Sequence, residues 1–390
     1  MRRDKPPAVP VRFAMVRYNQ PDVRMTRRRH CLTAILLVAS FGFGACGGNG
    51  SGTPPATLSG DGQSRSYAMG ISSLPPKLTE DSYAQTFQLA ASAGEVILIQ
   101  HTVPWKDMLA GDLSENTVQT TQRETALARE NGLDLFVAID PTDAAAGRSQ
   151  LAGLPEDLAG AGFANEEVRR AFTAYAQYVA ENYRPKYLAL GVEINSYQRY
   201  HPEDFERFVI LYHETYEAVK ALSPDTLVFP TFQLEELKGL LPLDDPYPTQ
   251  WHLISRFMPR LDLLAVSSFP SVVYDDPAEI PAVYYTQLTA YTDRPVAISG
   301  LGYSSAPASD GEDAAAEDRQ TAFLRRVLDS AEQVAMPLVV WFLGQDPTFT
   351  AEPPLDKLQY IGLVRQDGTN KPAWNVWSLA ARRPIEGGEQ

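Results

Sequence analysis

The chain has 390 residues, of which 44% are hydrophobic, and a formal net charge of −14. That is enough apolar material for one large barrel or two ordinary domains. Residues 1–45 hold nine Lys/Arg and two Asp/Glu, so they carry +7 and leave −21 on the rest, which argues against nucleic acid or an anionic membrane surface as the partner of the main body.

The first segment reads as a targeting signal. Arg27, Arg28 and Arg29 form a basic patch ahead of the apolar run 32–44, which has signal-peptide length and is short for a membrane span. Met25 is the better start, because residues 1–24 are not signal-like. The run ends in Gly44-Ala45-Cys46, followed by Gly47-Gly48-Asn49-Gly50. Small residues before a Cys resemble the lipobox of bacterial lipoproteins. That resemblance implies an exported protein anchored through lipid on Cys46, facing the periplasm or on the cell surface. An ordinary secretory signal with an incidental Cys is the alternative. Cys31 falls in the removed segment, so the mature chain has no internal disulfide to rely on. Residues 46–65, rich in Gly, Ser, Thr and Pro, read as a flexible tether.

Beyond the tether, short β-branched runs alternate with amphipathic helical stretches. The runs are 67–71, 96–101, 133–139, 187–194, 227–232, 261–267, 295–301 and 338–343. The clearest helix spans 203–222, where Phe205, Phe208, Val209, Tyr212, Tyr216 and Val219 recur at steps of three and four. Ala171, Phe172, Tyr175 and Val179 make a similar stripe, and Asn131-Gly132 supplies a left-handed stop before the third run. Eight such units predict an α/β fold, a single-domain (β/α)8 TIM barrel over 66–382, with a disordered tail over 383–390. A doubly wound sheet is the rival, but no Gly-rich phosphate loop follows any run.

In a barrel, the site lies where the strands end. Those ends carry His101 with Trp105 beyond it, Asp140, Glu193 and Asn195, Gln233, Ser268-Phe269, Gly300 with Tyr303, and Trp341 followed by Asp346. Aromatic faces suit sugar rings, and carboxylates and amides suit hydroxyls, so a poly- or oligosaccharide is the expected partner. His101 and Asp140 are read equally as ligand contacts or as satisfied strand-end groups. Asn195 shares the Glu193 strand face or caps the next helix. Trp341 is read as a sugar platform or as plain core. Tyr197, Tyr200, Trp105, Trp251 and Tyr303 are candidate subsite aromatics, though packing is the preferred reading of any one taken alone. The five His lack ligand spacing, and neither a metal nor a cofactor is expected. A monomer is expected.

Residues 66–380 resemble the retaining glycoside hydrolases of clan A, nearest the arabinogalactan endo-β-1,4-galactanases. The resemblance rests on Gly191-Val192-Glu193, on Val296-Ala297-Ile298-Ser299-Gly300-Leu301-Gly302-Tyr303, on Trp341, and on the stretch Gly362 to Trp374 that includes Asp367-Gly368 and Lys371-Pro372-Ala373. It implies that Glu193 is the acid/base, Trp341 the floor of the sugar site, and position 300 the place of the nucleophile; a structural carboxylate paired with a barrel Arg is the other reading of Glu193. The chain departs from the pattern there: Gly300 stands where the nucleophilic Glu belongs, Val192 where an Asn belongs, and Ser268 or Phe269 where a Tyr belongs.

Retaining hydrolysis needs two carboxylates, one to protonate the leaving oxygen and one to attack carbon. A glycine cannot attack, so a carbohydrate-binding pseudoenzyme is the preferred reading. Two alternatives stand beside it. One is an inverting or transglycosylating O-glycosidase that uses Glu193 as acid and a base such as Asp140, Asp346 or a residue of the 310–313 loop. The other is a structural or interaction lipoprotein that reuses the fold.

Overall fold

The computed structural model describes residues 64–241, 247–306, 313–349 and 355–387. The signal region, Cys46 and the tether up to residue 63 lie outside these residues, as does most of the 310–313 loop.

The strands are β1 (Ala68–Ser72), β2 (Val96–Thr102), β3 (Asp134–Asp140), β4 (Tyr187–Leu190), β5 (Leu227–Phe229), β6 (Thr231–Gln233), β7 (Leu264–Ser268), β8 (Val296–Leu301) and β9 (Leu338–Trp341). Every pairing is parallel, in the order β5-β4-β3-β2-β1-β9-β8-β7-β6. The two ends of that order, β5 and β6, are consecutive in the chain and separated only by Pro230. Proline has no N–H to give to a ladder, so the stave breaks there. Thr231 resumes contact by donating its N–H to the Gly191 carbonyl at 3.0 Å. The nine strands are therefore eight staves of a nearly closed (β/α)8 barrel.

The helical layer follows from local signals. Thr79, Ser114 and Asn165 cap the helices Glu80–Ser92, Glu115–Glu130 and Glu166–Asn182 by accepting N–H groups of the first turn. Gly132, at φ 66°, turns the chain out of the second of these helices, and Leu133 bonds back to Ala128 at 2.9 Å. The helix Glu166–Asn182 buries Val168, Ala171, Phe172, Tyr175, Ala176 and Val179 against the barrel. Pro202–Leu222, Asp313–Gln333 and Pro372–Ala381 cover other staves.

The expected eight helices are incomplete. Among the described residues, only the short helix Leu234–Leu237 and the 3-10 segment Trp251–Phe257 link β6 to β7. Three more 3-10 segments, Pro270–Val272, Pro277–Glu279 and Thr286–Ala290, link β7 to β8. Prolines 270, 277 and 281 interrupt backbone donation, which keeps these turns short. The fourth stave is also shorter than the apolar run 187–194 implies. Gly191 and Glu193 have φ of 101° and 48°, and the helix Ile194–Tyr200 begins immediately after.

Both ends of the barrel domain need correction. Arg65, read as tether, is buried and donates to the carbonyls of Arg383, Tyr67 and Ala381. Arg65 and Ile385 form a parallel bridge, and the N–H of Glu386 reaches the Arg65 carbonyl at 2.8 Å. Residues 383–386 are thus a clasp at the barrel base, and this part of the segment read as a disordered tail is paired with Arg65 there.

Candidate functional site

Successive side chains of a strand face opposite ways. At the carboxyl ends of the staves this rule divides the polar residues into two groups. Gln100, Asp140, Thr231, Ser267, Gly300 and Phe342 gather around Glu193 at the barrel mouth. His101, Ser268 and Trp341 turn outward among the helices.

Glu193 is the hub of the mouth. Its Oε2 accepts from Arg148 Nε at 2.8 Å, its Oε1 accepts from Ser267 Oγ, and its own N–H is held by Thr231 Oγ1 at 2.9 Å. Arg148 arrives from the loop after β3. Its Nη1 donates to both oxygens of Asp140 at 2.9 and 2.8 Å and to Thr142 Oγ1 at 2.9 Å. Asp140 also accepts from Gln100 Nε2 at 2.9 Å and from the N–H and hydroxyl of Thr142. One guanidinium therefore links two acids. Burial disfavours its charge, but the facing carboxylates outweigh that cost and raise Arg148 above the ordinary arginine range. Among the described residues Nη2 of Arg148 makes no hydrogen bond, so one donor edge remains for a ligand.

Both halves of this ion pair sit in left-handed backbone, Glu193 at φ 48° and Arg148 at φ 62°. Non-glycine residues hold such geometry at a cost of about 1–3 kcal/mol each, which is tolerated where surrounding bonds fix it and is concentrated at functional sites. Both carboxylate oxygens of Glu193 accept hydrogen bonds, one of them from a guanidinium.

Gly300 faces the same space. It pairs with Ser267 across β7 and β8, where an irregularity resets the register. A Cβ built on it would lie 3.6 Å from Phe342 Cδ2 and 3.8 Å from Ser267 Cβ, both ordinary contacts. A side chain is sterically admissible here, beside the serine that holds Glu193. The apolar wall is Phe342 with Phe269, their rings T-shaped at 5.8 Å.

The other sequence candidates lie elsewhere. His101 has its ring nitrogens 3.0 Å from Tyr175 Oη and 3.1 Å from Glu124 Oε1, in the helical layer. Trp341 is fully buried, donates to the Ile361 carbonyl at 2.7 Å, and packs on Trp377 and Phe323. Asn195 belongs to the helix after Glu193, neither on the strand nor capping. It ties that helix to the end of β6 through the N–H and carbonyl of Gln233 and through Gln250. Tyr197 donates to Asp204 at 2.7 Å, Trp105 to the Ala152 carbonyl at 2.7 Å, and Tyr303 to the Tyr274 carbonyl at 2.8 Å, and all three are buried. Asp346, an alternative base, is paired with Lys371 at 2.6 Å, and burial raises it to about 6 despite that cation.

Arg148, Gln100, Ser267 and Phe342 were not singled out from the sequence. Three of them were within reach of strand parity, being adjacent to the residues chosen or at the end of a run. Arg148 lies in an irregular loop and carried no signal.

No family model and no curated protein sequence matches the chain. Solved structures do. An exo-β-1,4-mannosidase from Opitutaceae bacterium strain TAV5 superposes with a TM-score of 0.62 at 15% identity, over 84% of this chain and 62% of its own. A GH5_18 structure from Streptomyces cattleya in complex with GlcNAc gives 0.62 at 17% identity, over 82% of this chain and 80% of its own. The chain has the fold of glycoside-hydrolase barrels. A family 39 glycoside hydrolase from Bacteroides cellulosilyticus WH2 extends the likeness, at a TM-score of 0.52 and 18% identity over 80% of this chain and 63% of its own. At these identities the likeness is one of fold, and this chain spans less than two thirds of the mannosidase's length.

Proposed function

We propose that the chain is an exported, lipid-anchored barrel that binds an oligo- or polysaccharide at its mouth and does not hydrolyse it by the retaining route. The observation that carries this reading is Gly300, open to the mouth beside Ser267 and Phe342, where a second carboxylate would have to stand. The hold of Arg148 and Ser267 on Glu193 supports it, since the surviving acid is already occupied as an acceptor. Asp140, the nearest alternative base, is engaged by Arg148, Thr142 and Gln100. The aromatic wall of Phe342 and Phe269, the Nη2 edge of Arg148 and the partly exposed Glu193 make a plausible sugar-ring contact set.

The mannosidase and the GH5_18 structures, two of which were solved with Manβ1-4GlcNAc, suggest β-linked manno-oligosaccharides as first ligands. The sequence resemblance to galactanases adds β-1,4-galacto-oligosaccharides. Calorimetry with both sets should find binding that Phe342→Ala weakens, and aryl glycosides should show no turnover above a Glu193→Ala control. Turnover that Glu193→Ala abolishes would establish an active enzyme instead, and failure of every glycan to bind would favour a structural lipoprotein. Cys46 is the proposed lipid attachment point. Palmitate labelling of cells should mark the wild type but not Cys46→Ser.

A further inference from the structure

Just behind the rim, the short helix Leu234–Leu237 carries two buried acids and leads to Lys238. Glu236 accepts from Ser196 and from Arg199 Nε at 2.8 Å. Glu235 is fully buried and, among the described residues, has only neutral donors around it: Ser268 Oγ at 2.6 Å, Tyr284 Oη at 3.0 Å, the Phe269 N–H at 3.1 Å, and the Gln233 amide. The nearby cation is Lys238, and it does not bond to Glu235. Its Nζ lies 4.2 Å from the centre of the Tyr284 ring and 5.5 Å from that of Trp251, and Trp251 stacks on Tyr291 at 4.1 Å. No hydrogen bond or ion pair to Lys238 Nζ is present among the described residues. The side chain is partly exposed, so reagents can reach it.

An ammonium held on ring faces keeps part of its electrostatic stabilisation but loses the water and the acceptors that normally favour its charge. Burial lowers Lys238 to about 8, with Glu235 opposing. At pH 7 roughly a tenth of such an amine is uncharged, against less than about a thousandth of an ordinary lysine. The amine is the nucleophilic form.

We propose that Lys238 is a covalent modification site for small aldehydes. Its amine nitrogen adds to the carbonyl carbon, the resulting carbinolamine loses water, and an imine forms; the carbonyl oxygen leaves as that water. The Tyr284 and Trp251 rings shelter the nitrogen from bulk solvent, and Glu235 sits beyond the Tyr284 hydroxyl.

Limited reaction of the full chain with glycolaldehyde and cyanoborohydride, read by peptide mass spectrometry, tests this directly. Lys238 should be labelled at least about tenfold faster at pH 7 than exposed Lys77 and Lys106. Its rate should rise with pH around a midpoint near 8, whereas theirs should keep rising toward the ordinary lysine range. Trp251→Leu should slow Lys238 toward the exposed lysines without altering the rates of Lys77 and Lys106. Labelling of wild-type Lys238 no faster than that of Lys106 would overturn the proposal, whatever the variant does.

Discussion

The inner and outer faces of the same strand ends make an instructive contrast. On the inside, Gln100, Ser267 and Phe342 join a polar, partly open cluster around Glu193 and Arg148. On the outside, their immediate neighbours His101, Ser268 and Trp341 are locked into buried networks with Glu124, Glu235 and Trp377. One residue of parity thus separates groups available to a ligand from groups that hold the helical layer in place. Both faces contain a carboxylate with several donors, so chemistry alone does not tell them apart. What differs is access and the number of unspent donors.

Substitutions on the two faces should therefore fail in different ways. The largest loss is expected from Glu124→Leu, which strips the partner from His101 and from the hydroxyls of Tyr83 and Tyr183. Breaking a buried charged pair of this kind costs about 3–5 kcal/mol, read as a fall in the denaturation midpoint. Trp341→Ala should cost a similar roughly 3–5 kcal/mol of stability through an unfilled cavity, with glycan affinity unchanged in the fraction that folds. Phe342→Ala should show the opposite pattern, a modest loss of stability with a large loss of affinity. If Trp341→Ala selectively removed binding, the division of the two faces would be wrong.

Acidity sharpens the contrast further. Burial works against a charged His101, but the charge and hydrogen bond of Glu124 prevail and raise it above the ordinary histidine value. For Glu124, burial works the other way, and His101 with the tyrosine donors lowers it. The histidine contribution is fully present below its unfolded value near 6.5 and is lost as pH rises through the folded value. The glutamate contribution is present above its unfolded value near 4.3 and is lost as pH falls through the folded one. The stability advantage of wild type over His101→Gln should therefore be greatest between about pH 4.5 and 6.5 and shrink in alkali. A difference that is flat with pH in urea titrations would remove the charged pair from the account. The smallest effect is expected from Ser267→Ala, about 1 kcal/mol from one lost hydrogen bond to Glu193.

Much of the fold was legible. The β-branched runs, the apolar stripes over 171–179 and 203–222, and the Gly132 stop are local signals, and local signals survive in a folded chain. The break at Pro230, and the 3-10 turns between β7 and β8, could have been read from the prolines alone. The cluster at the mouth was legible only in part. Position 193 stood out because it closes an apolar run, yet its backbone departs from the strand, so residues beyond it, such as Asn195, fall on a helix with other duties. Trp341 was preferred as a sugar platform over plain core on the motif it matches, but the register of β9 turns it toward Trp377. Arg148 was invisible, because an irregular loop gives no periodicity from which to infer where a side chain points.

The central claim is that position 300 looks across the mouth toward Glu193 and lacks only a side chain. The most direct measurement uses Gly300→Glu and an activated 2-deoxy-2-fluoro glycosyl fluoride, whose leaving group departs without help from Glu193. The variant should acquire a covalent sugar, located at position 300 by peptide mass spectrometry, while the wild type acquires none. An adduct on another carboxylate of the wild type, or a variant that binds the sugar but is never labelled, would contradict the account.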